Sequence, residues 1–225
     1  MISIALIPAF NEEKTIGKAV SILKAVGLKA IVVNDGSVDR TGEIARKEGA
    51  IVITHERNLG KGAALKTGFN YILKKYPDVM NVVVIDADLQ YSPKEALKLL
   101  KPLEEKKADF VMGFRNWKKV PFANRLGNFI WRTLFNWFFS TNLKDTNCGY
   151  IALTRKTIKK LKGIYGGYII ENCMLRDVLK SGLRIKQVPV NVTYRRRAIP
   201  NSARMFFGVL IFILKEGMKY KLSKI

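Results

Sequence analysis

Asp86-Ala87-Asp88-Leu89-Gln90, directly after the apolar run Val82-Val83-Val84-Ile85, is the stretch of this sequence best equipped for chemistry. Residues i and i+2 of an extended segment point to the same side, so both carboxylates reach one ion and the Gln90 amide oxygen offers a third ligand. An all-oxygen set suits a hard divalent cation, Mg²⁺ or Mn²⁺, bridging substrate phosphates. Asp-x-Asp alone also fits a solvated turn, so its meaning depends on what positions it.

A strand that is apolar throughout is buried on both faces, and its end is where α/β sheets bind ligands. The first half of the chain alternates such strands (2–8, 30–34, 51–54, 79–85, 109–113) with helical segments (12–26, 41–48, 61–75, 93–106). This order predicts an α/β fold, a mostly parallel sheet with helices on both faces. Three more strand ends carry polar loops: Pro8-Ala9-Phe10-Asn11-Glu12-Glu13, Asn34-Asp35-Gly36-Ser37-Val38-Asp39-Arg40-Thr41 and Asn58-Leu59-Gly60-Lys61-Gly62. Gly36 permits a tight turn, while Gly60 and Gly62 let backbone and Lys61 approach a phosphate. Each loop alone is compatible with turn and capping chemistry, Ser37, Asp39 or Thr41 capping a helix. Four on one rim point to a binding site. A P-loop is excluded because His55 stands where its first glycine belongs and no Ser or Thr follows Lys61, and no Gly-x-Gly-x-x-Gly follows the first strand.

The chain has 225 residues, enough for one α/β domain with an appended segment. One histidine and two cysteines, Cys148 and Cys173, without metal-ligand spacing exclude His/Cys metal cages and make a reduced, cytosolic setting the expectation. The start lacks the basic region of a signal peptide, and no apolar run reaches about 18 residues, so neither export nor a membrane-spanning helix is expected. The net charge of +22 is uneven: residues 1–100 carry 14 Lys/Arg and 11 Asp/Glu (+3), residues 101–225 carry 26 and 7 (+19). The second half therefore attracts polyanions, with anionic lipid and phosphorylated substrates as candidates; no ordered RNA or DNA motif accompanies the charge, so nucleic acid is not the expected partner.

The four loops in order, followed by Gly113-Phe114-Arg115, Arg125-Leu126-Gly127-Asn128, Asp145-Thr146-Asn147-Cys148-Gly149-Tyr150 and Val188-Pro189-Val190, resemble the motif series of family 2 glycosyltransferases of GT-A fold. Within that family the series is most similar to dolichyl-phosphate and polyprenyl-phosphate sugar synthases, over residues 1–197. The resemblance implies transfer of a hexose, with inversion, from a nucleoside-diphosphate sugar such as GDP-mannose or UDP-glucose to a polyprenyl or dolichyl phosphate. It implies that Pro8, Ala9, Asn11, Glu12, Asp35, Asp39, Lys61, Asp86, Ala87, Arg197 and Ser202 contact the nucleotide-sugar. Asp86, Asp88 and Gln90 would hold Mg²⁺ or Mn²⁺, and Arg115, Arg125 and Asn128 the acceptor phosphate, with Asp88, Arg115 and Arg125 central to catalysis. An acceptor phosphate is already anionic, so no general base is needed. Glu171 reads either as a catalytic carboxylate or as a helix N-terminal one. The segment 199–204 departs from the family's usual Gly/Ser/Lys loop, leaving Ser202 and Arg204 as substitutes.

A catalytic domain over 1–200 and a basic amphipathic segment over 201–225 are expected. Residues 121–140 and 205–214 carry Trp and Phe faces with flanking Lys and Arg, the pattern of helices lying in an anionic membrane interface. Ten apolar residues make about 15 Å of helix, half a bilayer core. A peripheral protein on the cytoplasmic membrane face is the expectation, with Phe138 and Phe212 as contact positions. Both helices would equally serve to pack on the domain or on a second copy, which leaves a homo-oligomer open. A glycosyltransferase with a hydroxyl acceptor, and a non-enzymatic polyanion binder, are the alternatives.

Overall fold

The computed structural model describes residues 2–116, 122–164, 167, 169–193 and 202–223, the side chains of 122–124 and 202–205 excepted. The first half follows the alternation of apolar runs and amphipathic segments: β1 (Ile2–Ala9), α1 (Ile16–Ala25), β2 (Lys29–Asn34), α2 (Thr41–Lys47), β3 (Ile51–Thr54), α3 (Lys61–Lys75) and β4 (Val79–Val84). A 3-10 turn (Pro93–Glu95) then precedes α4 (Ala96–Glu104) and β5 (Phe110–Arg115). The helix expected over 12–26 starts only at Ile16. Its first polar residues are spent elsewhere, the Glu12 N–H donating to Thr41 Oγ1 (2.7 Å) and the Glu13 N–H to Asp39 Oδ2 (3.1 Å).

The second half adds α5 (Phe122–Phe139), β6 (Ile151–Thr154), α6 (Arg155–Ile158), α7 (Ile170–Lys180), β7 (Ile185–Val190) and α8 (Ser202–Leu222). One seven-stranded sheet results, in the order β3-β2-β1-β4-β6-β5-β7. β1 pairs in parallel with β2 and β4, β2 with β3 and β5 with β7, while β6 runs antiparallel to β4 and β5. Pro189 is accommodated because β7 is an edge strand, where a missing N–H costs no ladder bond. The connections run outward from β1 through β2 to β3 and then cross to β4 on the other side. The reversal leaves a crevice beyond the carboxyl ends of β1 and β4, the place where open α/β sheets bind ligands.

The C-terminal helix departs most from expectation: α8 has 21 residues, about 31 Å at 1.5 Å per residue, instead of ten. Its second half is polar on one side but remains helical, and there Glu216 pairs with Arg176 of α7 (3.5 Å). Among the described residues no helix is both long and apolar enough to cross a membrane. α8 lies beside α5 and runs the same way, Trp131 meeting Phe206 (5.5 Å between ring centroids) and Phe139 meeting Tyr220 (4.9 Å). Phe138 (6% exposed) and Phe212 (7%) are core residues, so the expectation that they meet a membrane is corrected. The exposed apolar residues are their neighbours on the opposite faces: Leu126, Phe129 and Trp137 (61%) on α5, and Phe207, Ile211 (62%), Leu214, Met218 and Leu222 on α8. On α8 these recur every three or four residues, which makes one continuous stripe.

Candidate active site

The crevice at the β1/β4 reversal is a cleft of about 350 Å³, lined by Pro8, Ala9, Phe10, Glu12, Asp35, Asn58, Gly60, Lys61, Ala64, Asp86, Ala87 and Asp88. Seven of these residues were expected at a nucleotide-sugar from the sequence, and Asp88 at its metal. Phe10, Asn58, Gly60 and Ala64 were not assigned there, although Phe10 belongs to the first polar loop and is exposed. An exposed aromatic ring on an otherwise polar rim was the available signal, because it gives a planar group a face to stack on.

Asn11 and Asp39 are not part of the cleft wall; they join two loops behind it. The Asn11 N–H donates to Ser37 Oγ (2.9 Å), and its side-chain oxygen accepts from the Val38 N–H (3.0 Å). Asp39 accepts from the Glu13 N–H and the Thr41 N–H (2.9 Å). These bonds close the β1–α1 loop onto the β2–α2 loop. Burial works against the Asp39 charge, but the Thr41 and Glu13 donors outweigh it and hold the carboxyl below its ordinary range.

Asp35, 3% exposed, organises the third loop. Its Oδ1 accepts from the Leu59 N–H (3.0 Å) and faces His55 Nδ1 (2.7 Å), and its Oδ2 accepts from the Gly60 N–H (2.7 Å). The other ring nitrogen of His55 meets Thr67 Oγ1 of α3 (2.9 Å). The only histidine is thus a brace between β2's end and α3. Gly36 has φ +71°, and a Cβ there would lie 2.3 Å from the Arg57 backbone, so only glycine lets these two loops approach.

The acidic corner is wound tightly. Asp88 Oδ1 accepts from the Gln90 N–H (3.0 Å), a turn that drives Leu89 to φ +58°, the left-handed region that costs a Cβ-bearing residue about 1–2 kcal/mol. Gln90, expected to offer its oxygen to a metal, instead donates its amide Nε2–H to Asp88 Oδ2 (2.8 Å). An ionised carboxylate only accepts, so the amide turns its nitrogen inward and orients Asp88.

Lys61 spans the cleft floor. Its ammonium lies 2.7 Å from Asp86 Oδ1 and 3.4 Å from Glu171 Oε1, the first-turn carboxylate of α7. Burial disfavours the Lys61 charge, yet Asp86 and Glu171 outweigh it and raise the ammonium above the ordinary lysine range. Gly149 abuts all three groups. Among the described residues no cluster of three or more His, Cys, Asp or Glu forms a metal cage. Two carboxylates two residues apart still fit Mg²⁺ or Mn²⁺, which complete their coordination with phosphate oxygens, and the Lys61 ammonium shows that Asp86 is placed to receive a cation.

The residues expected at an acceptor phosphate lie outside the cleft wall. Arg115 donates Nε–H to Asp145 Oδ2 (2.7 Å), one Nη2–H to Asp145 Oδ1 (2.9 Å) and another to Asn128 Oδ1 (3.2 Å). Asp145 is only 1% exposed, so this fork is a buried, charge-assisted pair. Burial of the thiol beneath it pushes Cys148 up to about 12, which leaves it inert. Residues 145–149 connect the Arg115 pair to the Lys61 corner, four peptide steps that span at most about 14 Å. Arg125 is exposed on α5. Arg197 lies outside the described residues, as does the Ser202 side chain, although Thr193 just before that stretch donates its N–H to the Gln90 carbonyl (2.8 Å).

Residues 4–161 match the family profile described as Glycosyl transferase family 2. A dolichyl-phosphate hexose transferase of Haloferax volcanii is 32% identical over 204 residues, covering 88% of this chain and 85% of that protein. A UDP-N-acetylglucosamine–dolichyl-phosphate N-acetylglucosaminyltransferase of Methanococcus voltae is 27% identical over 245 residues, covering 94% and 95%. The fold is also that of glucosyl-3-phosphoglycerate synthase of Mycobacterium tuberculosis, crystallised with Mn²⁺, UDP and glucosyl-3-phosphoglycerate (TM-score 0.77, 24% identity, 96% of this chain and 79% of that one). With the cleft formed by the loops of the matched segment, and with relatives that align along nearly its whole length, the chain belongs to glycosyl transferase family 2.

Proposed function

We propose that this glycosyltransferase moves a hexose from a nucleoside-diphosphate sugar, GDP-mannose or UDP-glucose, to a polyprenyl or dolichyl phosphate, with inversion, as a peripheral protein on the cytoplasmic face of a membrane. The observation that carries the reading is the joint placement of Asp86, Asp88 and Lys61 in the cleft between β1 and β4, within reach of the Arg115–Asp145 pair through residues 145–149. Phe10 and Pro8 offer apolar faces to a base. Glu12 stands at the same wall for ribose hydroxyls, and the Gly60 backbone and Lys61 receive the diphosphate. Asp86 and Asp88 are the groups that would hold Mg²⁺ or Mn²⁺, with Gln90 fixing Asp88. A bound metal supplies a Lewis acid that stabilises charge on the departing nucleoside diphosphate.

Arg115, held rigid by Asp145 and Asn128, and Arg125 present positive charge to the acceptor phosphate. The phosphate oxygen forms its bond to the anomeric carbon as the bond to the nucleoside diphosphate breaks, and the leaving group takes the electron pair. The attacking oxygen carries no proton to be removed. For that acceptor Glu171, paired with Lys61, is not required as a base.

The exposed stripes of α5 and α8 support the membrane reading. Arg132, Lys215 and Lys219 accompany them, and Lys221 Nζ stands 3.3 Å from the Trp137 ring centroid. Basic residues near an anionic surface contribute about 1 kcal/mol each. Incubation with Mn²⁺ or Mg²⁺, a short polyprenyl phosphate and GDP-mannose, UDP-glucose or UDP-N-acetylglucosamine, read by mass, tests the reaction. A glycosylated lipid phosphate from one donor supports it. Transfer only to hydroxyl acceptors, or none with any donor, overturns it.

A further inference from the structure

The Lys61 ammonium lies 2.7 Å from Asp86 Oδ1, one of the two carboxylates that would hold a metal. It is seated from three sides, by Asp86 Oδ1 (2.7 Å), by Glu171 Oε1 (3.4 Å) and by the backbone of Gly149. A Cβ on Gly149 would lie 3.0 Å from Asp86 Oδ2, 3.0 Å from Lys61 Nζ and 3.3 Å from Glu171 Oε1, so the absence of a side chain there keeps the three charged groups together. The carboxylates come from elements far apart in sequence, the end of β4 and the first turn of α7, and Lys61 from the start of α3. Nothing local forces this meeting. The Lys61 side chain is 28% exposed and carries its ammonium on a four-carbon stem, so the charge is able to swing toward the open cleft.

We infer that Lys61 is a tethered counter-ion that keeps the acidic corner closed to a free divalent cation until a diphosphate draws it away, and that Glu171 is the positioning residue that seats it. This rests on the nucleotide-sugar reading of the cleft. A dication at Asp86 would stand within a few ångströms of the ammonium, and like charges at that range in a partly buried site repel strongly. A diphosphate removes the conflict. It offers the ammonium a stronger anionic partner, releases Asp86 and brings its own oxygens to the metal. Metal and nucleotide then bind with positive coupling, each raising the other's affinity by the same factor. Glu171 holds the ammonium near the corner in the empty state, so the return after product release is local.

Mn²⁺ binding followed by electron paramagnetic resonance, with and without UDP as the nucleotide probe, tests this without reference to turnover. Wild type is expected to bind Mn²⁺ at least about tenfold more weakly alone than with UDP, a coupling of about 1.4 kcal/mol. Lys61→Met, which removes the charge and keeps the stem, is expected to raise affinity for Mn²⁺ alone by about tenfold and to lower the coupling, leaving only the part that the diphosphate oxygens supply as metal ligands. Lys61→Arg, which keeps the charge, is expected to stay as weak as wild type, and Asp88→Asn added to Lys61→Met to abolish the gain. If Lys61→Met, folded by circular dichroism, binds Mn²⁺ alone no better than wild type while both bind Mn²⁺ with UDP, the counter-ion role is overturned and the nucleotide site stands. If no form binds Mn²⁺ with or without UDP, both are overturned.

Discussion

Asp35→Asn changes one atom of a carboxylate that three donors share, and the structure allows the cost to be worked out. The asparagine oxygen either faces Leu59 N–H and His55, leaving the new NH₂ against the Gly60 N–H, or faces Gly60 and sets the NH₂ against the Leu59 N–H. His55 has a second tautomer in which Nδ1 accepts, but a backbone N–H has none. In both orientations one buried backbone donor loses its acceptor and meets another donor. The lost charge-assisted bond costs about 1.5 kcal/mol at the low end, and the orphaned donor adds about as much again. A loss of about 3 kcal/mol corresponds to a fall in Tm of about 6–12 °C for a chain of this size. Calorimetry measures the fall, and hydrogen exchange locates it: the Leu59 and Gly60 amides should lose protection first, because Asp35 is their acceptor. A fall of less than about 2 °C, with both amides still protected, would refute the view that Asp35 holds the loop that starts α3.

Asp88→Asn retains the shape of the acidic corner and is expected to lower metal-dependent turnover by at least about 100-fold, measured as lipid-linked product, because a fixed metal is worth several kcal/mol to a departing diphosphate. Replacing Trp137 and Ile211 together by Ser should weaken partitioning onto anionic liposomes by about 100-fold, at about 1.5 kcal/mol for each side chain withdrawn, whereas Phe138→Ser should lower Tm and leave partitioning per folded molecule unchanged. Arg115→Met leaves the Asp145 carboxylate buried without its fork and should destabilise by about 3–5 kcal/mol in denaturant titration. Glu216 ties α8 to α7; burial works against its charge, but Arg176, Lys180 and Lys219 outweigh it and hold its carboxyl below the ordinary 4.5. That contribution is present in full above about pH 4.5 and is lost as pH falls through the lower folded value, so the stability gap between wild type and Glu216→Gln should be constant from pH 6 to 8 and shrink below 4.5.

The strand ends were legible in the sequence because parallel strands buried on both faces leave uninterrupted apolar runs, and the polar residues after such runs have only the carboxyl edge of the sheet to occupy. Pro8, Asp35, Lys61 and Asp86 reached one cleft for that reason. Which atoms of a loop face a ligand and which face another loop was not legible. Asn11 and Asp39 are polar loop residues like Glu12 and Asp35, and only the meeting of the β1–α1 and β2–α2 loops commits them to backbone partners, Asn11 to Val38 and Asp39 to Glu13. Gln90 shows the same limit within one side chain, since its amide offers an oxygen or a nitrogen and the neighbouring carboxylate selects the nitrogen.

The second half sets a different limit. A helix whose apolar face is wider than one partner needs has two destinations for it, and periodicity records the face without naming the partner. On α5 and α8 the division falls between adjacent residues, Phe138 inward beside Trp137 outward and Phe212 inward beside Ile211 outward. Long-range pairing supplies the missing term. Glu216 meets Arg176 across α7, and the 127/131 and 138/139 positions of α5 meet 206, 217 and 220 of α8, which fixes the rotation of both helices about their axes. Once that rotation is set, what remains outside is a stripe of large apolar side chains among lysines. The uneven charge of the chain thereby acquires a location: part of its surplus stands beside the apolar surface, and one lysine, Lys61, stands inside the acidic corner. In the proposed reaction the first would meet lipid phosphate and the second the phosphates of a nucleotide. A basic, apolar face that gathers anionic lipid and a cation that meets the nucleotide would there serve one requirement, since two anions must be brought together before either reacts.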